Sequence, residues 1–446
     1  MADAAPARPI PSNAAVAAGL PLKGVVAVVI GNWLEFYDFL VFTFFAVMIG
    51  DAFFPAQSPI GRLLGALATF GVGFVTRPLG AAVIGPYADR KGRRAALTLT
   101  LLLMALGSAL IAFTPSYAQI GIAAPVVLLI ARLIQGFSCG GEVGPATTYL
   151  LESAPMHRRA ALTAWQAHSQ ALATIMGSGI GLILAATLTR DQLYAWGWRV
   201  PFVVGVLVAP VALYIRRQLP ETIESRHMQR SSLDVLRELT REHLRPVLFG
   251  VLIICGGTIS TYVSNYMTTY ALTTLHLPAT IATTLTLTGG VGQILGYSIG
   301  VWTDRFGRKA ALIAWRVALI AVVYPLFQIM TAAGTGVTTI VSANVFFNIL
   351  FACGIGAGYA FLAEAFPQSV RSSGLAILYA VGVMIFGGTT QFVVAWLIDL
   401  TKDPLVPAYY MMAANLATIT GLWLMQPHAE VRRASEARLA EASSAS

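Results

Sequence analysis

The sequence contains few charged side chains, few cysteines and no motif of nucleotide-driven chemistry. Charged residues make up only 11% of the 446 residues, whereas soluble domains carry about 25%. The 3 cysteines, Cys139, Cys255 and Cys353, have neither paired nor metal-ligand spacing, so we expect them to pack as small apolar side chains. A Walker motif and a nucleophile triad are both lacking, which counts against an ATP-driven pump and against an enzyme.

The sequence is rich in long apolar runs. Hydrophobic residues account for 57% of the chain, and the mean hydropathy is +0.71. Runs of roughly 18 to 25 apolar residues, enough to cross a hydrocarbon core of about 30 Å, predict an all-α membrane protein with twelve transmembrane helices. The predicted spans are 22–49, 62–85, 95–113, 122–150, 160–188, 199–215, 246–275, 281–301, 311–331, 337–363, 372–399 and 405–426.

The basic residues are concentrated in alternate loops. The loop after the second span holds Arg90, Lys91, Arg93 and Arg94, whereas the segments 114–119 and 331–336 hold no Lys or Arg. This bias predicts that the basic loops and both termini face the cytoplasm. The net charge of +9 then indicates contact with anionic lipid rather than with nucleic acid. Residues 1–21, rich in Ala and Pro, are predicted to be a disordered tail, and 427–446 a second cytoplasmic tail.

Two pairs of segments repeat along the chain. "GPYADRKGRR" at 85–94 aligns with "GVWTDRFGRK" at 300–309, and "YLLESAPMHRR" at 149–159 aligns with "FLAEAFPQSVR" at 361–371. The repeat predicts two six-helix bundles, 22–215 and 246–426, joined by a cytoplasmic linker at 216–245. We expect the charged residues of these segments to act in gating, with a pure topology signal as the alternative. They are Asp89, Arg90, Arg93, Glu152, Arg159, Asp304, Arg305, Arg308, Glu364 and Arg371.

The motifs resemble one transporter family over nearly the whole chain. The repeated Gly-x-x-x-Asp-Arg-x-Gly-Arg-Arg/Lys signature, "RLIQG" at 132–136 and "LPET" at 219–222 are similar to the major facilitator superfamily. "GNWLEFYDF" at 31–39, "RPLG" at 77–80, "GGEVG" at 140–144 and "WGWRVPF" at 196–202 resemble its metabolite:proton symporters, and "FGGTT" at 386–390 the citrate-type members. The resemblance implies the major facilitator fold and a bacterial-type inner-membrane location.

The first span carries Asn32, Glu35 and Asp38. Charge inside hydrocarbon costs roughly 2.5 to 3.5 kcal/mol per residue, so such residues are functional candidates. Glu35 and Asp38 are three residues apart and are predicted to share a helix face. Two ionised carboxylates in a dry site repel each other, so we expect one of them to carry the coupled proton. Neutralisation of each by a basic partner is the alternative.

The fourth span offers such a partner. Arg132, Gln135, Cys139 and Glu142 follow helical spacing along one broad face. Because its guanidinium stays protonated, Arg132 is expected to hold the span-one carboxylates, to bind an anionic substrate or to exchange between them. A structural ion pair is the alternative. Glu142 is a second candidate for proton coupling.

Two further arginines lie inside predicted spans. Arg77 precedes Pro78 and is predicted either to bind a substrate carboxylate or to organise the kink at the proline. Arg316 lies about two turns inside the ninth span, close enough to its cytoplasmic end that we expect it to snorkel to the surface.

The remaining site candidates are uncharged. Span seven has no carboxylate but carries Tyr262, Tyr266 and Asn265, which suit hydrogen bonding to a polar ligand or helix packing. In span five, Gln166 and Gln170 are four residues apart and are predicted to share a face toward the site. We expect His168, on the same span, to be a packed and hydrogen-bonded residue. The N-terminal half is therefore predicted to handle the proton and the anionic charge, and the C-terminal half to supply neutral contacts. "GGVGQILG" at 289–296 is predicted to be a helix-packing segment rather than a dinucleotide loop.

These observations predict a proton-coupled symporter that imports a small organic carboxylate by alternating access. Citrate or a related tri- or dicarboxylate is favoured, with 2-oxoglutarate, shikimate or a zwitterion such as proline or betaine as alternatives, and a sugar porter as a further one. No cofactor is expected apart from the co-transported H⁺. The expected partners are the organic acid, protons and membrane lipids, and the expected functional unit is a monomer. A receptor and an efflux antiporter fit less well.

Overall fold

We describe the fold from a computed structural model of the chain. The structure describes residues 22–91, 93–140, 150, 159–218, 244–303, 307–366 and 371–425. These residues are almost entirely helical and form no strand. The predicted tails and the residues 219–243 of the predicted linker lie outside the described ranges, so the domain division stays a prediction.

The helices follow the predicted spans. In the N-terminal half they are α1 (Leu22–Phe44), α2 (Ala46–Phe53), α3 (Pro59–Val72), α4 (Arg77–Lys91), α5 (Arg93–Phe113), α6 (Tyr117–Ile120), α7 (Ala123–Cys139), α8 (Arg159–Thr187), α9 (Arg190–Ala195) and α10 (Val200–Gln218). In the C-terminal half they are α11 (Leu244–Thr273), α12 (Ala279–Thr303), α13 (Arg308–Thr331), α14 (Val337–Cys353), α15 (Ile355–Glu364), α16 (Arg371–Gly382), α17 (Gly388–Thr401) and α18 (Val406–Leu424).

Several helices begin at recognisable signals. Ser58 caps α3, because its hydroxyl accepts a hydrogen bond from the backbone N–H of Gly61 at 3.1 Å, and Pro59 occupies the first turn. Thr189 and Gln192 form a capping box at the start of α9. Gly307, in the second copy of the repeated motif, has φ +98° and turns the chain into α13.

Within the described ranges, four of the predicted spans are interrupted or irregular helices. The first is bent by 66° between its α1 and α2 parts. The second is broken at 73–76, the tenth at Gly354, and the eleventh contains a π-helical turn at Val383–Gly387. Such breaks leave backbone groups and space near the middle of a bundle, where transporters place their ligands.

The two halves use the same close-packing device. A methyl group at Gly80 would meet the carbonyl oxygen of Phe137, so α4 and α7 pack backbone to backbone. In the C-terminal half, methyl groups at Gly296 and Gly300 would meet the carbonyl oxygens of Ile349 and Cys353, which joins α12 to α14 in the same way. The prediction that 289–296 is a helix-packing segment is therefore confirmed.

Several helix pairs join the halves, including α8 with α12 and α15, α3 with α17, α1 with α11, and α4 with α16. α8 packs along α12, and a side chain at Gly290 would contact Ile175 at 2.7 Å. The hydroxyl of Thr269 on α11 donates to the carbonyl oxygen of Thr43 on α1 at 3.3 Å. α3 packs against α17, where a methyl group at Gly71 would meet the backbone oxygen of Gly388.

The apolar content supports a chain that crosses a membrane repeatedly. Six helices of the described residues are long and apolar enough to span a bilayer, or seven if the bent pair counts as one. Shorter apolar helices lie at Thr98–Phe113, Ala123–Cys139 and Gly197–Leu207. Each of the twelve predicted spans overlaps a helix or an interrupted run of helices.

Candidate functional site

A cavity of about 70 Å³ lies between the two halves. Phe36 and Leu40 of α1 line it together with Gln170 of α8. Helices α11, α12, α13, α15 and α16 supply most of the other wall, including Tyr262, Asn265, Gln293, Arg316, Tyr359 and Tyr379. Residues near the starts of α11 and α13, Ile253 and Leu312, also line it. The cavity therefore extends toward the end of the molecule that carries the basic loops.

Only part of the predicted substrate site borders this cavity. Gln170, Tyr262 and Asn265 line it, and the side-chain oxygen of Asn265 has no hydrogen-bond partner among the described residues. The other predicted substrate residues do not line it. They are Asn32, Arg77, Arg132, Gln135, Gln166 and Tyr266.

Asn32 and Gln166 instead bind each other. The Gln166 amide donates to the Asn32 side-chain oxygen at 2.7 Å, and Asn32 donates to the Ser169 hydroxyl at 2.5 Å and to the Gln166 carbonyl oxygen at 3.1 Å. These bonds tie α1 to α8. The prediction that Gln166 and Gln170 both face the site is therefore wrong for Gln166, since the helix turns its amide toward α1.

The two carboxylates of α1 face different surroundings. Asp38 is 6% exposed and borders a small apolar cleft with Leu34, Leu101 and Gly205, away from the central cavity. Glu35 is 8% exposed and lies within electrostatic range of Arg77 of α4 and Tyr379 of α16. Glu35 does not line the cleft that Asp38 borders, and the choice of the carboxylate that carries the proton stays a prediction.

Asp38 is connected to Arg132 through two neutral side chains. The Ser108 hydroxyl of α5 donates to Asp38 Oδ1 at 3.1 Å, and Gln135 Nε2 donates to the Ser108 oxygen at 3.0 Å. Arg132 Nη1 donates to Gln135 Oε1 at 2.7 Å. We call these four residues the polar relay. Of the roles expected for Arg132, the hold on Asp38 is indirect, because Gln135 and Ser108 lie between them.

Arg132 and Arg77 are enclosed by phenylalanine rings. The Arg132 guanidinium lies 4.3 Å from the Phe39 ring centre and is fully buried, with Phe42 and Phe70 at 4.7 and 4.8 Å. Arg77 lies 4.5 Å from the same Phe39 ring. We call the two arginines and these rings the arginine cluster. Cation–π contacts stabilise it, although Arg132 Nε and Nη2 have no hydrogen-bond partner among the described residues.

Tyr262 separates the arginine cluster from the central cavity. Its ring lies 6.0 Å from Phe70 and 5.4 Å from Phe74, and it also lines the cavity. Tyr266, one turn farther along α11, is 2% exposed and packs 6.5 Å from the Tyr270 ring. Tyr266 is therefore a packing residue in this arrangement.

Arg316 lies in the cavity wall. It is 4% exposed and lines the central cavity, so the prediction that it snorkels to the cytoplasmic surface is wrong. Its guanidinium donates to Asn415 Oδ1 of α18 at 3.1 Å. The predicted division into a charged N-terminal half and a neutral C-terminal half is therefore wrong at the cavity. The pairing with an asparagine on the last helix has no local sequence signal.

The C-terminal half also contains a neutral polar network behind the cavity wall. Ser264 donates to Asn348 Oδ1 at 2.6 Å, and Gln293 donates to the Ser264 hydroxyl and to Asn348 Oδ1, each at 3.1 Å. Asn348 in turn donates to the carbonyl oxygen of Asn344 at 2.8 Å. The network holds the Gln293 amide at the cavity surface, where hydrogen bonding can orient a ligand without adding charge.

His168 lies at the contact between the halves. Its ring nitrogens lie 2.8 Å from the carbonyl oxygen of Ala164 and 3.3 Å from the hydroxyl of Ser298 on α12, and its ring packs 5.3 Å from Tyr297. This confirms a packed, hydrogen-bonded histidine. Cys139, Cys255 and Cys353 are buried free thiols, as predicted.

The structure brings together two of the predicted gating residues. Arg308, at the start of α13, forms an ion pair with Glu364, at the end of α15. The other predicted gating residues and Glu142 belong to the part of the chain, or to the side chains, that the structure does not describe. Glu142, Glu152, Asp304 and Arg305 lie outside the described residues, as do the side chains of Asp89, Arg90, Arg93, Arg159 and Arg371.

Comparison with known proteins relates the chain to one family. Residues 28–390 match the model of the Major Facilitator Superfamily. The citrate-proton symporter of Salmonella typhi is 36% identical over 88% of this chain and 91% of that protein, and that of Klebsiella pneumoniae is 35% identical over 92% of each. A proline/betaine transporter of Salmonella typhimurium is 30% identical over 90% of this chain and 82% of its own length.

Solved structures support the same fold. The xylose transporter XylE from E. coli, in a partially occluded inward open conformation, superposes with a TM-score of 0.73. The match covers 92% of this chain and 100% of that one, at 17% sequence identity.

Proposed function

Because the chain belongs to the Major Facilitator Superfamily, we propose that it imports a small organic carboxylate, citrate or a related tri- or dicarboxylate, together with protons. It is a multi-pass membrane transporter of the symporter type and not an enzyme, and the co-transported proton takes the place of a cofactor. The citrate-proton symporters, at 35% and 36% identity over most of both chains, support the substrate class.

The observation that carries the proposal is the cavity between the halves. It has walls from both halves, lies near breaks in the helices, and contains amides, hydroxyls and one guanidinium. Major facilitator transporters bind substrate between their repeats and rock one bundle against the other. The contacts of α1 with α11 and of α3 with α17 join the two halves.

We assign proton coupling to Asp38 and to the polar relay. A buried carboxylate whose hydrogen-bond donor is a neutral hydroxyl, as Ser108 is for Asp38, gains by binding a proton, since burial penalises its charge. Arg132 lies at the other end of the relay, so a change in the Asp38 charge changes the hydrogen bonding of that guanidinium. In this proposal, the protonation of Asp38 thereby affects the substrate-binding step of the transport cycle. Glu35, which interacts with Arg77, is the second candidate.

A zwitterion is the second candidate substrate. Tyr262, Tyr297, Tyr359 and Tyr379 line the cavity, and aromatic walls suit the quaternary ammonium group of a betaine. The proline/betaine relative at 30% identity supports this alternative. The fold-level similarity to a xylose transporter says nothing about substrate, since the identity is 17%.

Reconstitution in liposomes tests the proposal. Purified protein is incorporated into vesicles with a neutral interior and an acidic exterior, and uptake of labelled citrate, 2-oxoglutarate, shikimate, proline and glucose is measured. We expect a tri- or dicarboxylate to accumulate, and a protonophore to abolish the accumulation. Accumulation of proline alone would favour the zwitterion, and uptake that ignores the pH gradient would overturn proton symport.

A further inference from the structure

We propose that Arg316 forms the subsite that binds one carboxylate group of the substrate. The inference rests on the proposed function and makes it more specific, because it assigns recognition of the anion to the C-terminal half. Among the residues that line the cavity in the described part of the chain, Arg316 is the one with a formal charge. Arg77 and Arg132 lie behind Phe39 and Tyr262 and do not line the cavity.

The Arg316 side chain is held in place from one side. Its Nη1 donates to Asn415 Oδ1 at 3.1 Å, and the Asn415 amide donates to the Ser260 hydroxyl at 3.2 Å and to the carbonyl oxygen of Met411 at 2.8 Å. Asn415 is 1% exposed, so the bonds that orient it are shielded from water. A guanidinium positioned in this way loses little conformational freedom when it binds a ligand.

The other side of the guanidinium is available to a ligand. Arg316 Nε is buried and has no hydrogen-bond partner among the described residues. A protonated guanidinium presents five donors in a planar fork that matches the two oxygens of a carboxylate. A buried donor without a partner is costly, and a carboxylate in the cavity would remove that cost.

Two glycines leave the space around this guanidinium open. A methyl group at Gly257 of α11 would lie 3.4 Å from Arg316 Nη2, and one at Gly354 would lie 3.3 Å from the same atom. Gly354 is also the break between α14 and α15. Any side chain at either position would occupy the approach to the arginine, so the backbone itself keeps this approach free.

The neighbouring polar groups fit the rest of an organic acid. Gln170, Asn265 and Gln293 border the same cavity and carry amides but no charge. One fixed cation surrounded by neutral donors and acceptors suits a molecule with one carboxylate at Arg316 and with hydroxyl or further carboxyl groups hydrogen-bonded elsewhere. Recognition of this kind depends on the charge of the ligand, and that dependence can be measured.

The experiment measures binding to purified full-length protein in lipid nanodiscs. Labelled citrate, 2-oxoglutarate, shikimate and proline, each of which carries a carboxylate, are used with the wild type, Arg316→Gln, Arg316→Lys and Asn415→Ala. Unlabelled trimethyl citrate, the neutral ester, competes against citrate. Arg62→Gln is the matched control, because Arg62 pairs with Asp51 at the surface and lies away from the cavity. Size-exclusion profiles and thermal unfolding check that each variant folds.

We expect Arg316→Gln to weaken binding of the preferred carboxylate about 30-fold or more and to remove the discrimination between citrate and its ester. Arg316→Lys and Asn415→Ala should cause smaller losses, and Arg62→Gln none. If Arg316→Gln does not fold, Asn415→Ala and Arg316→Lys carry the test. Unchanged affinity and unchanged ester discrimination in the folded variants overturn the subsite.

The proposed function and the subsite fail in different ways. If the wild type binds proline but no tri- or dicarboxylate, the proposed substrate class is wrong, while weaker proline binding by Arg316→Gln still supports the carboxylate subsite. If the wild type binds citrate and Arg316→Gln binds it equally well, the proposed function stands and the subsite is wrong. If the wild type binds none of the four acids, both are wrong.

Discussion

The two halves bury arginines in different ways. In the N-terminal half, Arg77 and Arg132 are enclosed by phenylalanine rings, with Arg132 also bonded to Gln135. In the C-terminal half, Arg316 is held by Asn415 and flanked by Gly257 and Gly354. Rings fill the space around a guanidinium, whereas glycines leave it open. Our proposals follow this difference, since they give the enclosed Arg132 a role within the protein and the open Arg316 a role in ligand binding.

The two halves share a loop motif and a way of packing helices, although their buried arginines differ. Both halves carry the repeated loop motif, and both join two helices through glycines that contact backbone oxygens, α4 with α7 and α12 with α14. The halves differ in what they place beside these shared features. The N-terminal half contributes a buried carboxylate and the polar relay, and the C-terminal half contributes most of the cavity wall. Our proposals thus assign coupling to the N-terminal half and substrate binding to the C-terminal half.

Asp38→Asn tests whether proton coupling belongs to the N-terminal half, and it has the largest expected effect. Loss of the ionisable group should abolish gradient-driven accumulation, because no proton can then be taken up and released at that position. Counterflow exchange should persist, since the cavity is intact. Asp51→Asn, at a surface residue paired with Arg62, is the matched control and should accumulate normally. Full accumulation by Asp38→Asn would remove the carboxylate from the coupling role.

Gly71→Ala tests the contact between the halves. The added methyl group would meet the backbone oxygen of Gly388, so α3 and α17 can no longer pack closely near the middle of their spans. Overpacking of this kind costs about 1 to 3 kcal/mol, and we expect initial uptake to fall about 10-fold. Gly179→Ala is the control, since its methyl group would lie an ordinary 3.6 Å from Leu287. Equal uptake by the two variants would contradict the role of the α3–α17 contact.

Ser108→Ala tests whether the polar relay carries the coupling. It removes the donor to Asp38 and the acceptor of Gln135. Loss of a buried hydrogen bond costs about 1 kcal/mol, so we expect proton-driven uptake to fall about fivefold while substrate binding in nanodiscs changes little. Weaker binding with normal coupling would place Ser108 on the substrate side instead.

Gln170→Ala and Gln166→Ala distinguish a cavity residue from a packing residue on the same helix. Gln170 lines the cavity, so its truncation should raise KM about fivefold with little effect on thermal unfolding. Gln166 bonds to Asn32, so its truncation should lower the free energy of unfolding by about 1 kcal/mol with KM nearly unchanged. Uptake kinetics and thermal unfolding of the same preparations measure both. The reverse pattern would contradict the assignment.

The regular features of the chain were predictable from sequence because they follow from local rules. Apolar length predicts the helices, and the paired motifs at 85–94 and 300–309 predict a repeat. His168 was predicted as a packed histidine, and the glycines at 289–296 as a packing segment. Gln170, Tyr262 and Asn265 were predicted correctly as neighbours of one cavity, since helical spacing places each on an inward face.

The wrong predictions have a common physical origin. Helical spacing states which residues share a face of one helix, but not which helix that face meets. Gln166 is bonded to Asn32, and the bond from Ser108 to Asp38 has no counterpart in the sequence, because a single serine in an apolar span gives no signal. Arg316 was misassigned for the same reason, since its depth along α13 allowed it to reach the surface.

The sequence by itself determined a multi-helix membrane transporter with two related halves, because hydrophobic length, loop charge and the repeated motifs are properties of segments. The tertiary structure decided which buried charges border the cavity. That choice depends on contacts between residues far apart in the chain, such as Arg316 with Asn415 and Asp38 with Ser108. Only the packing of helices against one another determines whether rings, amides or open space surround each charge.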